Sequence, residues 1–267
     1  MSQEQTISYV LITGTTSGLG REFARIFAQN GYNIVAVARN EVLLQQQKQE
    51  LERQFGVEMV YIVKDLSAEN SAQEVYDEIK HKGINIDILI NNAGFGSFGR
   101  YVDVDWQRQK GLASVNMLAV MQLSYLFGKD MDHRGRGKIV NIASIASFQA
   151  GPYMAMYYAS KAFVRSFSEA LHEEMKSSGV SVTAICPGPV ATNFERNAHM
   201  INSAMFTRLR VYTPEVVAAK SYRAIMNNKA VYVVGWPNKL LVFLTRFCSL
   251  KFSRVLASKI NLGSGRK

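Results

Sequence analysis

The stretch Tyr9-Val10-Leu11-Ile12-Thr13-Gly14-Thr15-Thr16-Ser17-Gly18-Leu19-Gly20 decides the fold. Its first four residues are a short apolar run closed by a turn signal, the pattern of a buried strand. Beyond the glycines, Phe23, Ile26 and Phe27 start a helical pattern that stops at Asn30-Gly31. Glycines let a backbone turn tightly, and the free N–H groups of the following helix favour an anion such as a pyrophosphate. The spacing is G-x-x-x-G-x-G, not the commoner G-x-G-x-x-G. Steric need alone explains many glycine turns, but the place between a strand and a helix favours a nucleotide loop.

The same alternation continues outward. Apolar runs at 33–38, 59–63, 87–90, 138–142, 180–185 and 231–234 read as strands. Helical patterns at 41–54, 68–81, 104–131, 153–177 and 214–226 separate them. Strands apolar on both faces, alternating with helices, predict an α/β fold: a doubly wound parallel sheet of about seven strands with helices on both faces. Ligands on such sheets bind beyond the C-terminal strand ends.

The chain has 267 residues, 48% hydrophobic and 19% charged, without a linker-like tract, and reads as a single domain over 1–267. Met1 to Ser8 is polar and lacks the pattern of a secretory signal, so a cytoplasmic location is expected. Cys186 and Cys248 are too few for a disulfide framework, and the four histidines show no ligand spacing, so no metal is expected. Residues 1–195 carry 18 Lys+Arg and 20 Asp+Glu, a balance of −2. Residues 196–267 carry 13 Lys+Arg and one acid, Glu215, a balance of +12. No nucleic-acid module accompanies this basic quarter, and no nucleic-acid partner is expected.

The glycine spacing resembles that of the short-chain dehydrogenase/reductase family, and the resemblance runs through residues 8–235. It implies a nicotinamide cofactor on a Rossmann-type fold, with Gly14, Thr16, Ser17, Gly18, Leu19 and Gly20 in the cofactor loop. Asp65-Leu66 matches the family's adenine-contacting pair. Asn92-Ala93-Gly94 matches the segment that stabilises the central sheet beside the cofactor. Pro187-Gly188-Pro189-Val190-Ala191-Thr192 matches the segment beside the nicotinamide, with Thr192 on the carboxamide.

The end of the second strand reads Val37-Ala38-Arg39-Asn40. An acid there would serve the ribose hydroxyl of NAD, whereas a nearby arginine accommodates the 2′-phosphate of NADP. A solvated surface arginine is the plainer reading, but charge-assisted contacts to a phosphate favour NADPH, with Ser17 and Asn40 as further donors.

Tyr157 and Lys161 stand four residues apart in a helical pattern, and so share a face. A phenol titrates near 10, and a nearby ammonium should lower that value toward working pH. The spacing by itself usually marks an exposed helix face. The family resemblance strengthens it, because Ser144 occupies the place of the oxygen-holding serine and Asn116 that of the asparagine in a proton relay. Tyr158 would need a lysine at 162, where alanine stands. The implied activity is carbonyl reduction or alcohol oxidation, with Tyr157 as acid/base, Lys161 tuning it and binding ribose, and Ser144 stabilising the substrate oxygen.

The family resemblance implies that residues 193–212 form an insertion over the substrate, here with Met200, Ile201, Met205 and Phe206; Phe95, Phe98, Phe148, Tyr153 and Met154 fall near the same mouth. This lining suits an apolar ketone, a 3-oxoacyl thioester or a steroid-like compound, although core packing explains any single residue equally well. Beyond lies a basic apolar tail, 236–267. Leu240, Leu241, Phe243, Leu244 and Phe247 share one helical face, and Phe252, Val255, Leu256 and Ile260 a second. Three readings stay open: packing on the domain or a partner subunit, contact with an anionic membrane surface, and a cover for the substrate mouth. Packing predicts an ordered tail whose removal exposes apolar surface. A symmetric homo-oligomer, dimer or tetramer, is expected. The alternative function is a nucleotide-binding regulator or scaffold without turnover; an epimerase or dehydratase of the extended branch ranks lower, because those chains are longer and keep G-x-x-G-x-x-G.

Overall fold

The computed structural model describes residues 8–192 and 210–262. Seven strands form one parallel sheet in the order β3-β2-β1-β4-β5-β6-β7. They are β1 (Tyr9–Thr13), β2 (Asn33–Ala38), β3 (Met59–Val63), β4 (Ile86–Asn91), β5 (Gly137–Ile142), β6 (Val180–Cys186) and β7 (Val231–Val233). The order reverses between β1 and β4, and the crevice beyond their C-terminal ends is where ligands bind such sheets.

Helices cover both faces because each strand is apolar on both. In β1, Val10 and Ile12 turn to one face and Leu11 to the other, all fully buried. Against Val10 and Ile12 pack α1 (Gly18–Gln29), α2 (Glu41–Phe55) and the helix Pro214–Met226. Phe27 of α1 meets Tyr32 and Tyr222 edge-on, with ring centroids 5.4 and 5.1 Å apart. Against Leu11 pack α3 (Ser71–His81), α5 (Ala119–Arg134), which continues from α4 (Trp106–Ala113), and the C-terminal end of α6 (Ala155–Glu174). Pro214–Met226 is therefore α7, followed by α8 (Trp236–Thr245) and α9 (Leu250–Leu262).

A buried polar ladder crosses the sheet centre. Asn91 Nδ2 donates to Ser124 Oγ (3.1 Å) and to Asn141 Oδ1 (2.8 Å), and Asn141 Nδ2 donates to Ser168 Oγ (2.9 Å). It ties α5, β4, β5 and α6 together, and buried amides require such partners.

Two features depart from the periodicity. The helix expected over 104–131 is interrupted by a π-helical turn, Ser114–Leu118. Such a turn adds one residue to the helical round and is frequent at functional sites; a hydrophobic repeat does not encode it. The second departure is the tail. It packs on the domain, but its apolar stripes are divided: Leu241, Phe252, Leu256 and Ile260 border a cavity, whereas Leu240, Phe243, Leu244, Phe247 and Val255 face outward. The residues that α8 and α9 bury are Asn238, Val242, Ser253, Ala257 and Asn261. Polar anchors set this orientation: Asn238 Nδ2 donates to Val234 O (2.7 Å), Ser253 Oγ to Gln149 Oε1 (3.0 Å) and Asn261 Nδ2 to Pro152 O (2.9 Å). Most of the insertion, including Met200, Ile201, Met205 and Phe206, lies outside the described residues. Its return at Tyr212 bridges in parallel to Val190.

Candidate active site

The β1–α1 turn sets the geometry. Gly18 has φ +55°, and a Cβ on it would come within 2.9 Å of Thr192 Cγ2. A Cβ on Gly20 would collide with the Gly14 carbonyl and with Asn92 Nδ2. Glycine is thus required where the loop folds against β4 and the segment after β6. Thr13 and Asn92 lock this arrangement. Thr13 Oγ1 accepts from Asn92 N (3.0 Å) and Ala93 N (2.9 Å), and Asn92 Nδ2 donates to Thr13 O (2.8 Å) and Gly14 O (3.1 Å). Thr13 was not singled out from the sequence; a polar residue ending a buried strand was its only signal.

The loop borders a cavity of about 1420 Å³ at the C-terminal edge of the sheet. The expected cofactor residues Gly14, Thr16, Ser17, Gly18, Leu19, Gly20, Arg39, Asn40, Asp65, Leu66, Asn92, Ala93, Gly94, Pro187, Gly188, Val190 and Thr192 all line it. A single small ligand fills roughly 300–1,000 Å³, so a dinucleotide and a second molecule fit together. Ser17 stands at the N-cap of α1 without a side-chain cap bond, which leaves its hydroxyl to the cavity. Asn40, expected as a phosphate donor, uses its Oδ1 to cap α2 through Leu43 N (3.0 Å); only its amide group is left to donate. Arg39 is exposed and 3.8 Å from Asp65. Burial pushes the Asp65 carboxyl up, but hydrogen bonds from the Ser67 backbone and hydroxyl, with the Arg39 charge, hold it below its ordinary value.

Ser144, Tyr157 and Lys161 line the same cavity. Ser144 follows β5, and its Oγ accepts from Ala146 N (3.1 Å) and faces Pro187 O (3.5 Å). Tyr157 and Lys161 lie one turn apart on α6. Lys161 is buried, its Nζ donating to Ile142 O (2.7 Å) and standing 5.9 Å from the Tyr157 ring centroid. Burial lowers its pKa to about 8. The expectation that the ammonium lowers the phenol is not met in this arrangement. Burial pushes Tyr157 up to about 12, the Ser144 hydrogen bond pulling the other way. Lys161 is turned toward the Ile142 carbonyl, and desolvation by burial dominates the phenol.

Asn116 does not line the cavity; it sits behind it, on the π turn. Its Oδ1 accepts from Phe95 N (3.1 Å), and its Nδ2 donates to Phe95 O (3.0 Å) and Ser160 Oγ (3.2 Å). It thereby fixes the segment after β4 to α6. Tyr158 also borders the cavity, but its buried hydroxyl is engaged, donating to Asn261 Oδ1 (3.2 Å) and so holding the tail.

Beyond Tyr157 the walls are apolar. Phe95, Phe148 and Met154 line the cavity as expected, whereas Phe98 and Tyr153 are not among its lining residues and meet each other at a tilt, with centroids 6.3 Å apart. The tail supplies Leu241, Val242, Phe252, Leu256 and Ile260 to the same cavity. The tail therefore packs on the domain and also forms part of the cavity wall. Gly188 is close against this cover: a Cβ there would meet Asn238 at 2.5 Å.

A family profile described as short chain dehydrogenase matches residues 8–201. The chain is 36% identical over 195 residues to a very-long-chain 3-oxoacyl-CoA reductase from Bos taurus, a match covering 70% of this chain and 61% of that protein. It thus spans about three fifths of the length of that relative. It is 32% identical over 252 residues to the probable short-chain type dehydrogenase/reductase VdlC of Helicobacter pylori, covering 94% of this chain and 89% of the other. A short-chain dehydrogenase from Sphingobium yanoikuyae in complex with NADPH superposes with a TM-score of 0.80 at 27% identity, over 90% of this chain and 94% of that one. The chain, with its Rossmann-type sheet, belongs to the short-chain dehydrogenase family of oxidoreductases.

Proposed function

We propose that this chain is an NADPH-dependent carbonyl reductase for an apolar ketone, with 3-oxoacyl thioesters as the leading substrate class. The observation that carries the reading is the meeting of Ser144, Tyr157 and Lys161 at the junction of a glycine-walled cleft and an apolar chamber. The 3-oxoacyl class is supported by the name of the mammalian relative and by the apolar wall that α8 and α9 add. Steroid-like ketones suit the same wall.

The residues present fit a nicotinamide dinucleotide. Gly14 to Gly20 would hold its pyrophosphate at the N-terminus of α1. Asp65 and Leu66 would border the adenine, Thr192 the carboxamide, and Arg39 with Ser17 the 2′-phosphate. When bound, the coenzyme supplies hydride to the carbonyl carbon. Tyr157 gives its phenolic proton to the carbonyl oxygen as the C=O π bond breaks. Ser144 donates a hydrogen bond to the charge growing on that oxygen. Lys161 binds ribose and steadies the negative charge left on Tyr157, while Asn116, expected as a proton relay, instead positions the segment after β4 against α6.

Arg39 sets the coenzyme preference. Arg39→Asp removes a partner of the 2′-phosphate and installs an acceptor for a ribose hydroxyl. A hydrogen bond to a charged group is worth about 1.5–3 kcal/mol, so the NADPH-to-NADH ratio of kcat/KM should fall by roughly 10- to 100-fold. Both coenzymes are assayed with both proteins on one ketone. A wild type that prefers NADH, or a ratio that does not move, removes Arg39 from the reading.

A further inference from the structure

The tail carries more than the cavity uses. While α8 and α9 bury Asn238, Val242, Ser253, Ala257 and Asn261, they leave their largest apolar side chains outside. Trp236 is 72% exposed, Phe247 74% and Leu250 82%, and Leu240, Phe243 and Leu244 are exposed beside them. A contiguous patch of this kind on a soluble surface marks an interaction site. Lys239, Arg246, Lys251, Arg254 and Lys259 are interleaved with it, and 236–262 contains no carboxylate.

We propose that this outer face of α8 and α9 docks on the surface of an anionic lipid bilayer. The composition is that of an interfacial helix: bulky apolar side chains and cations with little else. Trp236 is a side chain that settles at headgroup depth, and the edge-paired Phe243 and Phe247, centroids 5.1 Å apart, supply the apolar face that enters the acyl boundary. With 10 and 13 residues, α8 and α9 are too short to cross a bilayer, which takes about 20. They lie along it instead. Charge complementarity decides between a bilayer and a second copy of this chain. A two-fold contact through this face would set its cations against the same cations, with no acid on the segment to pair them, and like charges opposed across a contact are unfavourable. Anionic headgroups pair them all. The docking also orients the cavity, because Phe252 and Leu256 both line it and remain exposed at its rim. Contact through the tail turns that rim toward the lipid. The docking stands apart from the substrate class proposed above and is tested without turnover.

The test is sedimentation of the full chain with phosphatidylcholine vesicles, with and without phosphatidylglycerol. Binding should require the anionic lipid and fade as salt is raised. Arg246→Glu/Arg254→Glu should weaken it by at least about tenfold, since each cation near such a surface contributes about 1 kcal/mol. Phe243→Ser/Phe247→Ser should weaken it at unchanged charge. All four side chains are exposed and outside the cavity, so an unchanged melting temperature checks folding. Equal binding to neutral vesicles, or no binding to either, overturns the proposal. So does light scattering that shows an oligomer dissociated by the phenylalanine pair while vesicle binding is absent; that outcome assigns the face to a second copy.

Discussion

Tyr157→Phe should reduce carbonyl reduction by about 10²- to 10⁴-fold, the range for losing a positioned general acid. Coenzyme affinity should stay within a few-fold of the wild type, because the substitution removes the proton donor and little else. The fold should tolerate it. Ser144 keeps Ala146 N and the Pro187 carbonyl as neighbours when the phenol is gone, so no buried hydroxyl is stranded. Coenzyme fluorescence titration beside the activity assay separates the two quantities. Turnover within tenfold of the wild type would remove Tyr157 from the chemistry.

Lys161→Ala should damage more. It withdraws the cation beside Tyr157 and the ribose contact, and it strands the Ile142 carbonyl that Nζ satisfies at 2.7 Å. A stranded buried acceptor costs about 1–3 kcal/mol. The variant should therefore lose turnover by about 10²-fold or more, bind coenzyme more weakly and melt lower. The pH profile carries a second signature. Burial lowers Lys161 to about 8, so it is charged below that pH and neutral above it. Tyr157, pushed up to about 12, stays protonated throughout this window. Reductive kcat/KM should thus hold through neutral pH and fall as pH rises through about 8, and Lys161→Ala should lack that limb. A wild-type profile that climbs with pH would contradict the assignment.

The sheet was legible because alternation is a repeated signal. Six runs from Asn33 to Val234 and the glycine turn after Thr13 place every strand within a residue or so of its observed ends. The pairing of Tyr157 with Lys161 was legible because helix geometry brings residues four apart together. Three things were not, or not fully. The π turn around Asn116 is a one-residue change of winding, held by Phe95 and Ser160, residues distant in sequence. The upward shift of the Tyr157 phenol depends on how deeply it is buried and on which carbonyl Lys161 faces, and neither follows from spacing. The tail was only partly legible because amphipathic patterning assumes that the whole apolar side goes inward. Here Asn238, Ser253 and Asn261 find specific partners, so that Leu241, Phe252, Leu256 and Ile260 border the cavity while Leu240, Phe243, Leu244, Phe247 and Val255 stay out.

The most direct measurement is NADPH oxidation, followed optically, by the full chain against a carbonyl panel: 3-oxoacyl thioesters of increasing length, ketosteroids and aromatic aldehydes. Oxidation that depends on the carbonyl, favours the long-chain thioesters and disappears in Tyr157→Phe is the expected result. Tight NADPH binding with no oxidation by any member of the panel would contradict the catalytic reading and leave a nucleotide-binding scaffold in its place.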